Sequence, residues 1–354
     1  MKKSWHNKYR FSALIFLFFL LCCSISKLSA VKGQFYLSPY FDSNVQESLN
    51  NPEPTYGIKL RGNLAHAISR SRWKIFGDLL TQTFLDVLFI NESKLVIHTE
   101  MGLQYRLLPE LHLLGQWIHF QKEFYEKSRS YRWSEFRTYL QISPSKKFTA
   151  WIGYLPRSST FITYNTIRFY EDNWEVRTRH NFTSRLSLEG SATISTITYE
   201  DYPAWGMVND TLRVPLDFDQ KDKSMNGLIH FRYQGKIIVG VQVGYESVSS
   251  NSVIGEFDLI SFRGYLSGRI GKSNFYHLVL QRMDKNYQYP RLRGIAGYRD
   301  PEEKIQNRTY VQFEHVLKNS ATGFIQISFL ENETILNLRY YDKTLIEIGV
   351  KYEL

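Results

Sequence analysis

Cysteine is almost absent: Cys22 and Cys23 are the whole complement, and both fall within residues 1–30. Downstream of them no disulfide can form, and thiolate-based catalysis or metal binding is excluded. Long apolar runs are missing as well. No segment after residue 30 approaches the roughly 20 consecutive apolar residues of a membrane helix, so a helical membrane protein is excluded. No Gly/Ser-rich or Pro-rich linker and no low-complexity block divides residues 31–354. Histidines paired at metal-ligand spacing are absent, and no serine-centred motif accompanies the scattered His66, His98, His112, His119, His180, His230, His277 and His315. These absences predict a protein that is not an enzyme and carries no metal and no cofactor.

What is present begins with a targeting segment. Lys2, Lys3, Lys8 and Arg10 precede the apolar stretch Phe11–Cys23, which is too short to span a bilayer, and Leu28-Ser29-Ala30 supplies small residues for cleavage. The pattern predicts a cleavable signal peptide over residues 1–30. Leu21 before Cys22 lacks the small side chain that a lipid-attachment signal places there. Removing Lys2, Lys3, Lys8, Arg10 and Lys27 halves the formal charge of +10. The remaining basic residues are spread along the chain, which argues against a nucleic-acid partner.

From about residue 55 onward the chain alternates. In Arg185–Tyr199, Leu186, Leu188, Ala192 and Ile194 share one parity, and Arg185, Ser187, Glu189, Ser191 and Thr193 the other. A period of two is that of a strand with one apolar and one polar face. Tight turns are predicted at Leu108–Glu110, Ser143–Lys147, Thr183–Ser184, Gln234–Lys236 and Gly271–Asn274. Longer connections are predicted at Asn44–Pro54, Leu85–Ser93, Ser158–Tyr170, Glu200–Lys223 and Asn286–Lys304. The segments between them run well beyond the 5–6 residues usual for strands of soluble proteins. Short turns at one end and long loops at the other predict an all-β, antiparallel transmembrane β-barrel over residues 31–354, in a bacterial outer membrane.

Both termini on one side require an even strand number. Sixteen strands result if Thr322–Tyr340 is one long strand bulged near Glu331–Thr334; an error of one hairpin would make it about 14 or 18. A lipid-facing Arg near the midplane costs roughly 2–4 kcal/mol, so mid-strand charges point inward. Ile237, Val239, Val241 and Val243 then face lipid, as do Ile260, Phe262, Leu266 and Ile270, and Thr309, Val311 and Phe313. Leu111–Tyr125 and Phe148–Arg157 are apolar on both parities, which leaves their facing open. Trp73, Trp117, Trp133, Trp151 and Trp174 are candidates for the aromatic girdles at the membrane interfaces. Gly102, Gly227, Gly240, Gly264 and Gly268, inside strands, read as points of curvature.

The last residues, Leu345–Leu354, place Ile346, Ile348, Val350, Tyr352 and Leu354 on one face and Glu347, Lys351 and Glu353 on the other. This resembles the terminal strand of bacterial outer-membrane barrels, which usually ends in an aromatic residue; here the end is Leu354. Tyr40–Ser43 is similar to the close of the opening strand in porin-like barrels. The resemblance implies insertion into outer-membrane lipid by the barrel-assembly machinery, through Leu345–Leu354.

The candidate pore-lining set is Arg137, Arg177, Arg179, Arg232, Arg263, Arg269 and Arg308, with Glu100, Glu135, Glu175, Glu246 and Glu314. Opposed charges in a wide barrel set ion preference; equally, they can pair and only solvate the wall. Tyr202 and Trp205 in one long loop, and Tyr289, Arg291 and Arg293 in another, are candidates for an inward-folded constriction. The reading predicts a porin-like channel for passive passage of small hydrophilic solutes, with a mildly cationic lumen. The alternative is a closed-lumen barrel with a structural, assembly or binding role. The solute is not specified, and an oligomer stays open.

Overall fold

The computed structural model describes residues 31–45, 52–125, 130–162, 166–208, 212–253, 256–287, 307–318, 320–333 and 340–354. Residues 1–30, the expected signal peptide, lie outside it, as does most of the predicted loop Asn286–Lys304.

The described chain is a meander of long strands. They are β1 (Val31–Asp42), β2 (Thr55–Arg70), β3 (Trp73–Asp86), β4 (Lys94–Leu108), β5 (Leu111–Phe124) and β6 (Ser130–Ser145). Next come β7, in two segments (Phe148–Tyr154 and Arg157–Ile162), β8 (Thr166–Asn181), β9 (Leu186–Val208) and β10 (Leu212–Gln234). The remainder are β11 (Ile237–Ser250), β12 (Phe257–Ile270), β13 (Asn274–Tyr287), β14 (Asn307–Lys318), β15 (Ala321–Glu333) and β16 (Tyr340–Glu353). Both segments of β7 pair with β6 and β8, so they are one strand, interrupted where Pro156 removes a ladder donor. Every strand is antiparallel to its sequence neighbour, and β16 pairs with β1. The sheet therefore closes into a 16-strand barrel without edges, as a lipid-exposed sheet requires.

Both ends of the described chain lie at the rim that carries the tight turns, Gln34 opposite Glu353. The predicted tight turns all fall there, joined by Ser71–Arg72, where Ser71 adopts a positive φ of 48°. The longer connections fall at the other rim.

Three expected boundaries are corrected. Ser158–Tyr170 is not a loop, because Arg157–Ile162 and Thr166 onward are strand; its Ser/Thr-rich composition suits a strand above the membrane as well as a loop. Glu200–Lys223 is not a loop either. β9 and β10 are each 23 residues long and continue as a ladder past Pro203 and Pro215, which sit where the register is irregular. Nor is Thr322–Tyr340 one bulged strand. β15 ends at Glu333, which pairs with Tyr340, the first residue of the last strand, and the register between them is unbroken back to Ala321–Tyr352. The strand number stays even because Tyr340 belongs to the returning strand.

The outer face is an apolar belt. Ile75, Met101, Phe136, Ile152, Val176, Ile194, Ile229, Val243, Ile260, Phe313, Phe329 and Ile348 project outward and are exposed. At the loop-end rim the outward positions turn charged: Glu123, Arg132, Arg168, Lys221, Lys223, Asp284 and Glu331. About 9–11 tilted residues cross a bilayer, so roughly half of β9 and β10 stands beyond this belt. The β11–β12 connection clamps that tall hairpin: Val253 N donates to Trp205 O at 3.0 Å, and Lys221 N to Asn251 Oδ1 at 2.7 Å.

Trp73, Trp117 and Trp174 lie on the outer face, exposed as a girdle requires. Trp133 and Trp151 do not. Trp133 is buried inside the barrel, and Trp151 carries the Arg179 guanidinium over its ring. Both fall on the inward parity of their strands. Two of the strand glycines also have a more specific use than curvature. The inward rings of Phe76 and Tyr265 lie directly on Gly102 and Gly240, where a Cβ would collide with them.

Candidate functional site

The barrel interior is a large polar surface that the fold shields from lipid. Strand register places all twelve pore-lining candidates on it. Arg177 and Arg179 on β8 share the inner face with Glu175, and Arg137 on β6 with Glu135. Arg232 (β10), Arg263 and Arg269 (β12) and Arg308 (β14) continue it, with Glu100 (β4), Glu246 (β11) and Glu314 (β14). Tyr202 and Trp205 lie on the tall β9–β10 hairpin, Tyr202 packed against Tyr199 at 5.7 Å. Tyr289, Arg291 and Arg293 lie outside the described residues.

Many of these charges pair locally rather than forming two opposed rings. Arg177 Nη2 lies 2.6 Å from Glu175, two residues away on the same face of β8. Arg137 and Glu135 repeat the arrangement on β6. Arg179 bridges to Glu189 on β9 at 2.5 Å, and Gln116 donates to Glu100 at 2.5 Å. Lys351 and His277 approach Glu314 at 3.9 Å each. Such exposed or half-exposed pairs contribute about 0–1 kcal/mol apiece. Arg232, Arg263 and Arg308 have no carboxylate partner among the described residues.

Sequence reasoning missed two features of the interior. One is an apolar patch at the loop end. Ile118, Tyr131, Trp133, Phe161, Ile167, Phe169, Ile197 and Tyr199 form one buried inward cluster across β5–β9, with Phe120 and Tyr202 against it. Part of its signal was visible: Leu111–Tyr125 is apolar on both parities because its inward Ile118 and Phe120 belong to this wall, whereas Phe148–Arg157 contributes no member to the cluster. Arg157 stands in this patch, its guanidinium 4.1 Å from the centre of the Trp133 ring.

The other is a cavity of about 380 Å³ inside the barrel, enclosed by β1–β5 and β14–β16. Its polar lining is organised in pairs. Lys59 Nζ donates to both oxygens of Glu347 at 3.0 and 2.9 Å, and Ser38 adds a weaker contact at 3.5 Å. Lys343 binds Asp42 at 2.7 Å, and the Tyr40 hydroxyl donates to Asp86 at 2.7 Å. Phe84, Phe120, Phe124, Leu330 and Leu345 supply apolar wall. Phe120 belongs to both features, so cavity and aromatic patch are contiguous. No group of three or more His, Cys, Asp or Glu arranged to hold a metal occurs among the described residues.

A closed antiparallel barrel, apolar outside and charged inside, is the outer-membrane β-barrel type of fold. No protein-family model matches this chain, and no curated protein does. Solved structures resemble it at the level of the barrel. One is OmpT, an outer membrane protein of Vibrio cholerae, with 9% identity, TM-score 0.44, and coverage of 92% of this chain and 97% of that one. Another is a mutant of the Rh. blastica porin, with 8% identity, TM-score 0.41 and coverage of 92% and 99%. A third is the Pseudomonas putida toluene transporter TodX, with 8% identity, TM-score 0.39 and coverage of 92% and 89%. Likeness of this degree is one of barrel architecture.

Proposed function

We propose that this protein is a bacterial outer-membrane channel that passes small polar solutes through a narrow, mildly cationic interior. The observation that carries the reading is the charged inner face, whose Arg232, Arg263 and Arg269 are exposed, together with the 380 Å³ cavity inside the barrel. The turn-end rim is the periplasmic side in this reading, and β16 is the strand handed to the barrel-assembly machinery. Sixteen strands can enclose an aqueous channel. Here the aromatic patch narrows that space, so conductance is small for a barrel of this size. Purified protein in planar bilayers, with potassium chloride on both sides, tests this. Discrete conductance steps that grow in Trp133→Ala are expected. The absence of any conductance, together with no solute uptake into proteoliposomes, would overturn the reading.

Burial at the loop end supports a second reading, a closed barrel that binds rather than conducts. Phe161 and Phe169 each retain 2% exposure, and Glu171 5%. A barrel without conductance that still binds a solute would decide for it.

A further inference from the structure

We propose that the lumenal cavity binds a small organic monocarboxylate with an apolar body. Arg308 holds the carboxylate, and Phe84, Phe120 and Phe124 hold the body. The inference rests on the reading of the interior as the place where solute is handled, and it names the solute class.

Charge balance around the cavity leads to it. The acids of the lining are already engaged: Glu347 with Lys59, Asp42 with Lys343, Asp86 with Tyr40, and Glu92 with partners of its own. Arg308 is different. Its guanidinium lies 4.7 Å from the centre of the Tyr310 ring, and no carboxylate of the described residues forms an ion pair with it. Its Nε is buried and makes no hydrogen bond. A buried donor left without an acceptor is costly, so the position favours an incoming anion. The lining as a whole is balanced, with Asp42, Asp86, Glu92 and Glu347 against Lys59, Lys94, Lys343 and Arg308, and Glu347 also attracts Arg308 from beyond ion-pair distance. Arg61, stacked 5.1 Å from the Tyr36 ring centre, has a buried Nε that also makes no hydrogen bond. Both arginines repel the Lys59 ammonium, which Glu347 attracts.

Guanidinium is the natural partner of a planar carboxylate, which it grips through two parallel hydrogen bonds. Phenyl rings and leucines on the same cavity surface then select for an apolar body. A volume of about 380 Å³ is in the range of small-molecule sites. The Lys59 and Lys94 ammoniums already lie 5.0–5.6 Å from the centres of the Phe84 and Phe124 rings, so the apolar body shares those rings with them; inorganic anions would satisfy Arg308 without that surface, and neutral aromatics would do the reverse.

The probe is 3-phenylpropionate, titrated calorimetrically into the purified barrel in detergent. Propionate and 3-phenylpropanol serve as the charge-only and ring-only controls. Saturable binding of 3-phenylpropionate is expected, with both controls much weaker. Arg308→Gln should weaken it by roughly 10- to 100-fold, the worth of a charged hydrogen-bonded pair. Arg308→Lys keeps the charge without the fork and should fall between. Phe124→Ala should weaken binding of the ring compound and not of propionate. Arg185→Gln, in the exposed β8–β9 turn, should leave binding unchanged. The proposal is overturned if 3-phenylpropionate does not bind the unaltered protein, if Arg308→Gln binds it as tightly, or if either control matches it. Potassium chloride conductance separates the two readings. Conductance without binding removes the solute class alone, and binding without conductance removes the channel and leaves the site.

Discussion

At the loop end of the interior, Tyr131 retains 1% of its exposed surface and Asp222 2%. At the turn end, on strands of the same barrel, Arg232, Arg263 and Arg269 are open to solvent. The same alternation runs through both ends, yet it has different consequences. At the turn end the inward parity is hydrophilic, and ion pairs such as Arg179–Glu189 sit in water. At the loop end inward rings meet one another, and the acids that remain are enclosed in hydrogen bonds. Asp222 accepts from Tyr199, Gln220 and Ser250 at 3.1, 3.0 and 2.6 Å. The difference teaches that a barrel's bore is not set by its strand number alone. Inward side chains can narrow one half of it while the other half stays a vestibule.

Thiol labelling is the most direct way to break this comparison, since residues 31–354 contain no cysteine. Ser187→Cys at the turn end should react quickly with a charged maleimide, and Ser224→Cys at the loop end orders of magnitude more slowly, because reaction there needs local opening. Equal rates would abolish the distinction between the two halves. Next in size is the aromatic patch. Phe169→Ala should lower unfolding free energy in lipid vesicles by about 3–5 kcal/mol, as read from urea titration. Arg269→Ala at the turn end should stay within about 0.5 kcal/mol. Comparable losses would mean that the loop-end cluster is not packed.

The ion pairs sharpen the same contrast. Lys59→Met leaves Glu347, with a side chain 4% exposed, without its ammonium. The expected loss is about 3 kcal/mol, and the double variant Lys59→Met with Glu347→Leu should recover most of it. Arg179→Met at the turn end breaks a pair whose arginine side chain is 46% exposed, and should cost less than about 1 kcal/mol. Similar losses for the two would show that the interior is uniformly wet.

How much of this was legible in the sequence depends on the solvent each residue meets. Ile237–Val243 and Thr309–Phe313 announced their facing because lipid on one side and charge on the other enforce a period of two. Closure and even strand number followed from the turns. Glu200–Lys223 and Ser158–Tyr170 were illegible for the opposite reason. Those segments stand above the belt with water on their outer side, so nothing selects apolar outward residues, and Pro203 and Pro215 look like loop punctuation. Glu331–Thr334 misled because the strands on both sides of the reversal are short of glycine and rich in alternation. The inward position of the charged candidates could be read. Their partners could not, since Lys59 and Glu347 are 288 residues apart in the chain and meet only after the barrel closes.

The tall β9–β10 hairpin has a consequence of a different kind. A ladder that rises past the lipid and is bolted to its neighbour at Trp205 and Asn251 acts as a mast. Anything that approaches that rim from beyond the apolar belt meets the mast before it reaches the mouth of the barrel. Sequence change there reshapes that rim while leaving the apolar belt untouched.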